Sequence, residues 1–163
     1  MVRDKLNIEE NQLLNEISSY LNVDSDDLYR LIDFESNWNP WAKNSVSSAR
    51  GLIQFVDSTA IDLGFKSSLD LVNKNPTVLS QLKVVFNYLK NFYPFNGTQS
   101  LYMSVFYPKA RSWPSNKEFP VDVKISNPGI STPQDYIDLV NKKSKSGTIG
   151  MTTALLAVAV FFF

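Results

Sequence analysis

Apolar residues recur along this chain at intervals of three and four, so the pattern predicts a mostly helical body. Leu13, Leu14, Ile17 and Leu21 share one face of residues 8–21. In "VDSDDLYRLIDFES", Asp24 or Ser25 offers an N-cap, with acids in the first turn. That second helix is expected to end near Asn37, because Pro40 disfavours a helical residue before it. A polar loop, "WAKNSVSSAR", leads to Gly51 and to a short helix from Ser58 to Leu63 stopped by Gly64. The longest stripe is Val78, Leu82, Val85, Phe86 and Leu89, with Pro76 placed for a first helical turn and Pro94 as terminator. "TQSLYMSVFYPKA" predicts a helix to about Phe106, broken by Pro108. Residues 112–133 hold four prolines and read as extended loop, before a last short helix in "TPQDYIDLVNKK". No internal repeat is apparent.

One position breaks the second stripe. Leu28, Leu31 and Ile32 share a face with Glu35, so a carboxylate ends a run of buried positions. A carboxyl among apolar neighbours holds its proton to higher pH, since desolvation disfavours the anion. Such an acid can donate to a leaving oxygen. The bland alternative is that Glu35 caps a backbone or pairs with Arg30 or Arg50.

Composition narrows the chemistry. Among 163 residues there is no Cys and no His, which removes disulfides, Cys-His and Ser-His nucleophile systems and the usual zinc sites. Carboxylate acid–base chemistry survives, and neither a metal nor a cofactor is expected. Lys plus Arg and Asp plus Glu number 16 each, so there is no global field for nucleic acid and none is expected as a partner. The start, "MVRDKLNIEE", is charged where a secretory signal would be apolar.

The end of the chain differs in kind. After "KKSKS" no charge occurs, and residues 148–163 are 16 residues of mainly apolar character. As a helix they would span ~24 Å at about 1.5 Å per residue, slightly short of the ~17–25 residues usual for a span. Basic residues flank one side only, as at a membrane surface. We read residues 147–163 as a C-terminal membrane anchor, the alternative being a buried core helix.

The order of features in "ESNWNPWAKNSVSSARGLIQFVDSTA" resembles the lytic transglycosylases of the goose-lysozyme-like superfamily, in their phage-type form. Glu35 and Ser36 match the Glu-Ser motif. Gly51, Leu52, Ile53 and Gln54 match Gly-Leu-Met-Gln, and Ser58, Thr59 and Ala60 match what commonly follows. The resemblance is specific over about residues 24–65. It implies a lysozyme-like domain, which we assign to residues 1–112, and says nothing about the tail; an extended linker and short helix over 113–146 and the anchor follow from composition.

Glu35 is then implied as a single acid and base. It would cleave the bond between N-acetylmuramic acid and N-acetylglucosamine in peptidoglycan and leave a 1,6-anhydro product. Gln54 suits an N-acetyl group or sugar hydroxyl, the alternative being a residue that holds two loops together. Ser36 is either a substrate contact or a helix cap. Gly51 would let backbone come close to a sugar or to the acid. Trp38 and Trp41, next after the acid, are the better candidates for stacking on sugar rings, ahead of Tyr93 and Trp113.

The family's third motif, Ala-Tyr-Asn, is absent. "SLYMSVFYP" offers Tyr102 or Tyr107, and Tyr102 is favoured for the substrate side. Ordinary glycosidases need a second carboxylate. Asp33, Asp57 and Asp62 are the candidates, and none is convincingly placed. The expected setting is a membrane-containing phage virion or the bacterial envelope. A goose-type hydrolase and a catalytically silent glycan-binding membrane protein are the rival readings.

Overall fold

The computed structural model describes residues 3–146, with side chains described as far as Lys143. Eight α-helices follow one another there: α1 (Ile8–Leu21), α2 (Ser25–Ser36), α3 (Asp57–Asp62), α4 (Ser68–Lys74), α5 (Val78–Leu89), α6 (Thr98–Phe106), α7 (Val121–Ser126) and α8 (Pro133–Ser146). Two 3-10 turns, Lys90–Phe92 and Pro108–Ala110, follow α5 and α6. The extended pairing among the described residues is limited to isolated bridges, Lys43 with Arg50 and Arg50 with Phe55. The expected membrane anchor, residues 147–163, lies outside the described residues. Among those described, no helix is long and apolar enough to cross a membrane.

Local chemistry sets the helix ends. Asn7 caps α1 by accepting from the Glu10 N–H, while the Glu10 side chain accepts from the Asn7 N–H. That reciprocal pair satisfies two N–H groups the helix cannot pair itself. Asp24 caps α2 through the Asp26 N–H at 2.7 Å. At the other end α2 stops before Pro40 can act. Asn37 turns left-handed at φ 56°, its N–H donating to the Asp33 carbonyl at 2.8 Å, and Trp38 follows at φ 61°. Asparagine tolerates that region better than most residues, whereas tryptophan there carries strain. Pro76 sits one residue ahead of the α5 cap rather than in its first turn, since Thr77 and Ser80 form that cap. The stretch expected as extended loop contains α7, whose Val123 is buried while Val121 and Ile125 are exposed.

α2 is the centre of the packing. It meets α1 on one side and α6 and α8 on others, and α8 also packs on α6. Leu28, Leu31 and Ile32 have no exposed surface. Burying one such side chain contributes about 1.5–3 kcal/mol. The N-terminal segment straps the same helix. Arg3 bonds Ser25 at 2.6 Å and Asp26 at 2.6 Å in its first turn, and Lys5 pairs with Asp33 and bonds Asn37 at 2.5 Å at its end. Residues 113–146, expected as a linker and short helix, thus include a 14-residue helix packed against the centre of the body.

Candidate active site

Glu35 lies in the last turn of α2, half-buried. Its partner is neither Arg30 nor Arg50. Arg30 is engaged by Asp27 at 2.5 Å, whose other oxygen accepts from Thr98 at 2.6 Å. Oε1 of Glu35 accepts instead from the hydroxyl of Tyr136, on α8. Tyr136 is completely buried. Its ring stacks on Phe106 at 4.5 Å and meets Phe34 and Tyr102 edge-on at 5.4 and 6.3 Å. Oε2 of Glu35 has no hydrogen-bond partner among the described residues.

The electrostatics follow from this setting. Loss of water pushes the Glu35 carboxyl up to about 7, against the opposing pull of the Tyr136 hydrogen bond and the Lys143 charge. Burial and the nearby carboxylate raise the Tyr136 phenol well above its ordinary value, so it remains a donor throughout the physiological range. Lys143, also on α8, donates to the carbonyls of Asp33 at 2.6 Å and Phe34 at 3.1 Å. A carboxyl that exchanges its proton near neutrality, with one oxygen fixed, is equipped to act as acid and then as base.

The other expected site residues turn inward. Ser36 is buried and its hydroxyl donates back to the Ile32 carbonyl at 3.1 Å, so it finishes the helix. Trp38 is only 4% exposed and lies on Tyr29 with ring centroids 5.0 Å apart. Tyr102, 0% exposed, has no surface to offer a sugar; burial pushes its phenol up to about 12. Tyr107 packs among Trp113 and Phe119. Gln54 is buried at a left-handed φ of 54°, its Nε2 donating to the Gly51 carbonyl at 2.9 Å. A cavity of about 10 Å³ lies beside it, lined in part by Thr59, Tyr88 and Val105; that is room for roughly one water. Trp41 and Tyr93 do carry exposed rings, at 50% and 57%.

Gly51 is needed for a different neighbour from the one expected. At φ 76° a side chain there would be strained, and its Cβ would fall 2.5 Å from Oε1 of Gln81. Gln81, fully buried, accepts from the Leu52 N–H at 2.9 Å and donates to the carbonyls of Pro40 at 2.7 Å and Asn75 at 2.9 Å. One side chain therefore fastens the Gly51–Gln54 turn to the loop that follows Glu35.

Of the candidate second carboxylates, Asp33 is paired with Lys5, and Asp57 accepts from the Ser68 N–H and hydroxyl, both at 2.8 Å. The described residues contain no group of acids that could hold a metal ion. A surface depression of about 830 Å³ runs along the outer face of α1 from Ile8 to Tyr20 and includes none of the site residues. It is shallow and open.

Sequence reasoning missed Tyr136 and Lys143. The available signal was Tyr136 and Val140, four apart on the apolar face of the last helix, both completely buried. A buried phenol requires a polar partner.

The described residues form a mostly helical body with Glu35 shielded from water near its centre, which is consistent with a lysozyme-like domain. Residues 12–110 match the family model of the transglycosylase SLT domain, and the chain belongs to that family, whose members are lytic transglycosylases acting on peptidoglycan. Neither the curated proteins nor the solved structures include a match to this chain. The matched segment stops short of α8, so the hydroxyl that holds Glu35 comes from outside it.

Proposed function

We propose that the protein is a peptidoglycan lytic transglycosylase in which Glu35 is the sole acid and base. The supporting observation is its half-buried carboxyl, held by Tyr136 and titrating at about 7. The protonated carboxyl gives its proton to the oxygen linking N-acetylmuramic acid to N-acetylglucosamine, and the bond from that oxygen to the muramyl C1 breaks. The substrate's own N-acetyl oxygen stabilises the positive charge at C1. Glu35, now a carboxylate, takes the proton of the muramyl 6-hydroxyl as O6 bonds to C1, closing the 1,6-anhydro ring and restoring the acid. No second protein carboxylate enters, in keeping with the engagement of Asp33 by Lys5 and of Asp57 by Ser68. Trp41, half exposed in the loop after Glu35, is the residue we assign to sugar stacking.

Zymography on peptidoglycan with wild type and Glu35→Gln tests this reading. Clearing by the wild type alone is expected. Equal clearing by both, or none from either, would overturn it. Mass spectrometry of the released fragments then separates lyase from hydrolase, because the anhydro product is lighter by one water.

On composition alone, residues 147–163 are proposed as the anchor, placing the domain in a lipid-containing phage virion or at a bacterial envelope. Removing them should turn a detergent-requiring protein into one that stays in the supernatant. A full-length chain that is soluble and monomeric without detergent would defeat the anchor.

A further inference from the structure

We propose that Lys143 is a positioning residue for Glu35, fastening the last turn of α2 to α8 so that the carboxyl and the Tyr136 hydroxyl stay in register. The inference deepens the reading of Glu35 as the acid, but it stands on contacts that exist without substrate.

The last turn of a helix ends in carbonyls without intrahelical donors and carries partial negative charge. A carboxylate placed there is disfavoured, and α2 has no basic residue of its own in that turn. The donors and the charge come from outside. Lys143 reaches the Asp33 and Phe34 carbonyls at 2.6 and 3.1 Å, the two residues directly before Glu35, while its ammonium lies 5.7 Å from the centre of the Phe34 ring. Tyr136 and Lys143 are seven residues apart, two turns on one face of α8, so a single helix grips both the backbone and the side chain of the α2 end. A slip between the two helices would break both contacts together.

Among the described residues, these charged and titratable groups face the joint. From α8 come Tyr136 and Lys143, from the N-terminal segment Lys5, from α2 itself Asp33 and Glu35, and from α6 Tyr102. Lys5 is directed at the Asp33 carboxylate and the Asn37 side chain rather than at Glu35. Among the described residues, Lys143 is therefore the cation that acts on the Glu35 carboxyl, and it favours the ionised form. Its own proton is held less firmly than usual because it is half-buried and near Lys5, while Asp33 and Glu35 oppose that loss.

The test is an NMR titration of the Glu35 side-chain carboxyl in the full chain, which reads proton affinity without any turnover. In Lys143→Met and in Lys143→Gln the midpoint should rise by about half a pH unit or more, as expected for loss of a nearby, partly screened charge. In Lys143→Arg, which keeps charge and donors, it should stay near the wild-type value. The glutamine variant retains a donor for the carbonyls, so it reports even if the methionine variant does not fold. A midpoint unchanged in the glutamine variant, or moved as far by arginine as by glutamine, would overturn the proposal. An enzyme that titrates as expected yet cleaves nothing would instead defeat the functional reading and leave this one standing.

Discussion

The hydroxyl of Tyr136 donates to Oε1 of Glu35 across 101 residues of sequence, joining the end of α2 to α8. That bond stabilises the carboxylate, so it opposes the desolvation that raises the Glu35 carboxyl to about 7. Tyr136→Phe removes it while keeping the stack on Phe106. The Glu35 titration should move upward, and the alkaline limb of the cleavage profile should move with it. Cleavage at neutral pH should fall about tenfold through loss of orientation, less than the roughly 10²–10⁴ that general acid catalysis itself supplies. A pH–rate profile with the same alkaline limb as wild type would refute the role given to Tyr136.

Glu35→Gln separates catalysis from stability. Cleavage should drop by roughly 10²–10⁴. Stability should change in the opposite sense and only above acidic pH. The folded carboxyl titrates at about 7 against an ordinary value of 4.5, so the native state binds the proton more tightly than the unfolded chain. Below about 4.5 both states are protonated and no penalty exists. As pH rises from there through 7, wild type loses stability, up to about 3 kcal/mol once the buried group is charged. Thermal melts of the two proteins should coincide near pH 4, and the variant should melt higher at pH 8. Parallel melting curves across that window would show that burial does not perturb Glu35.

What the sequence made legible was local. The α2 stripe and the carboxyl that ends it lie within two turns, and the Gly51–Gln54 motif is contiguous. What it concealed depends on chain direction and long-range contact. The loop position of Trp38, directly after the acid, makes it a candidate for stacking on a sugar. Consecutive left-handed residues, Asn37 and Trp38, instead turn the indole inward onto Tyr29. Tyr102, favoured on a phage-type pattern, is buried, and the hydroxyl that meets Glu35 belongs to Tyr136, far along the chain. Pairing of that kind leaves no periodicity to read.

The Gly51 turn gives a prediction about the frame rather than the acid. Gly51→Ala would put a Cβ in a positive-φ position and against Gln81, and should cost about 1–3 kcal/mol. Gln81→Leu keeps the volume but strands the Leu52 N–H and the carbonyls of Pro40 and Asn75. Buried polar groups left unpaired cost about 1–3 kcal/mol each, so with partial relaxation a loss of roughly 2–4 kcal/mol is expected. Chemical denaturation measures both. A Gln81→Leu variant as stable as wild type would mean that the glutamine is not the fastener it resembles.

The last prediction concerns where the working domain ends. The family match stops at residue 110, and taken alone that boundary would make a shorter chain sufficient. The packing says otherwise. Cutting after residue 112 removes Phe119 and Tyr136 from the Phe106 ring, removes the donor on Glu35, and opens the face of α2 covered by α8. Aromatic rings of this size bury roughly 150–250 Å² each, so losing both leaves a large apolar surface against water. The truncated chain should show no cooperative thermal transition and no clearing on peptidoglycan, whereas a chain ending at residue 146 should retain both. Circular dichroism melts and zymograms of the two lengths decide it. A folded, active 1–112 fragment would show that α8 only decorates the domain.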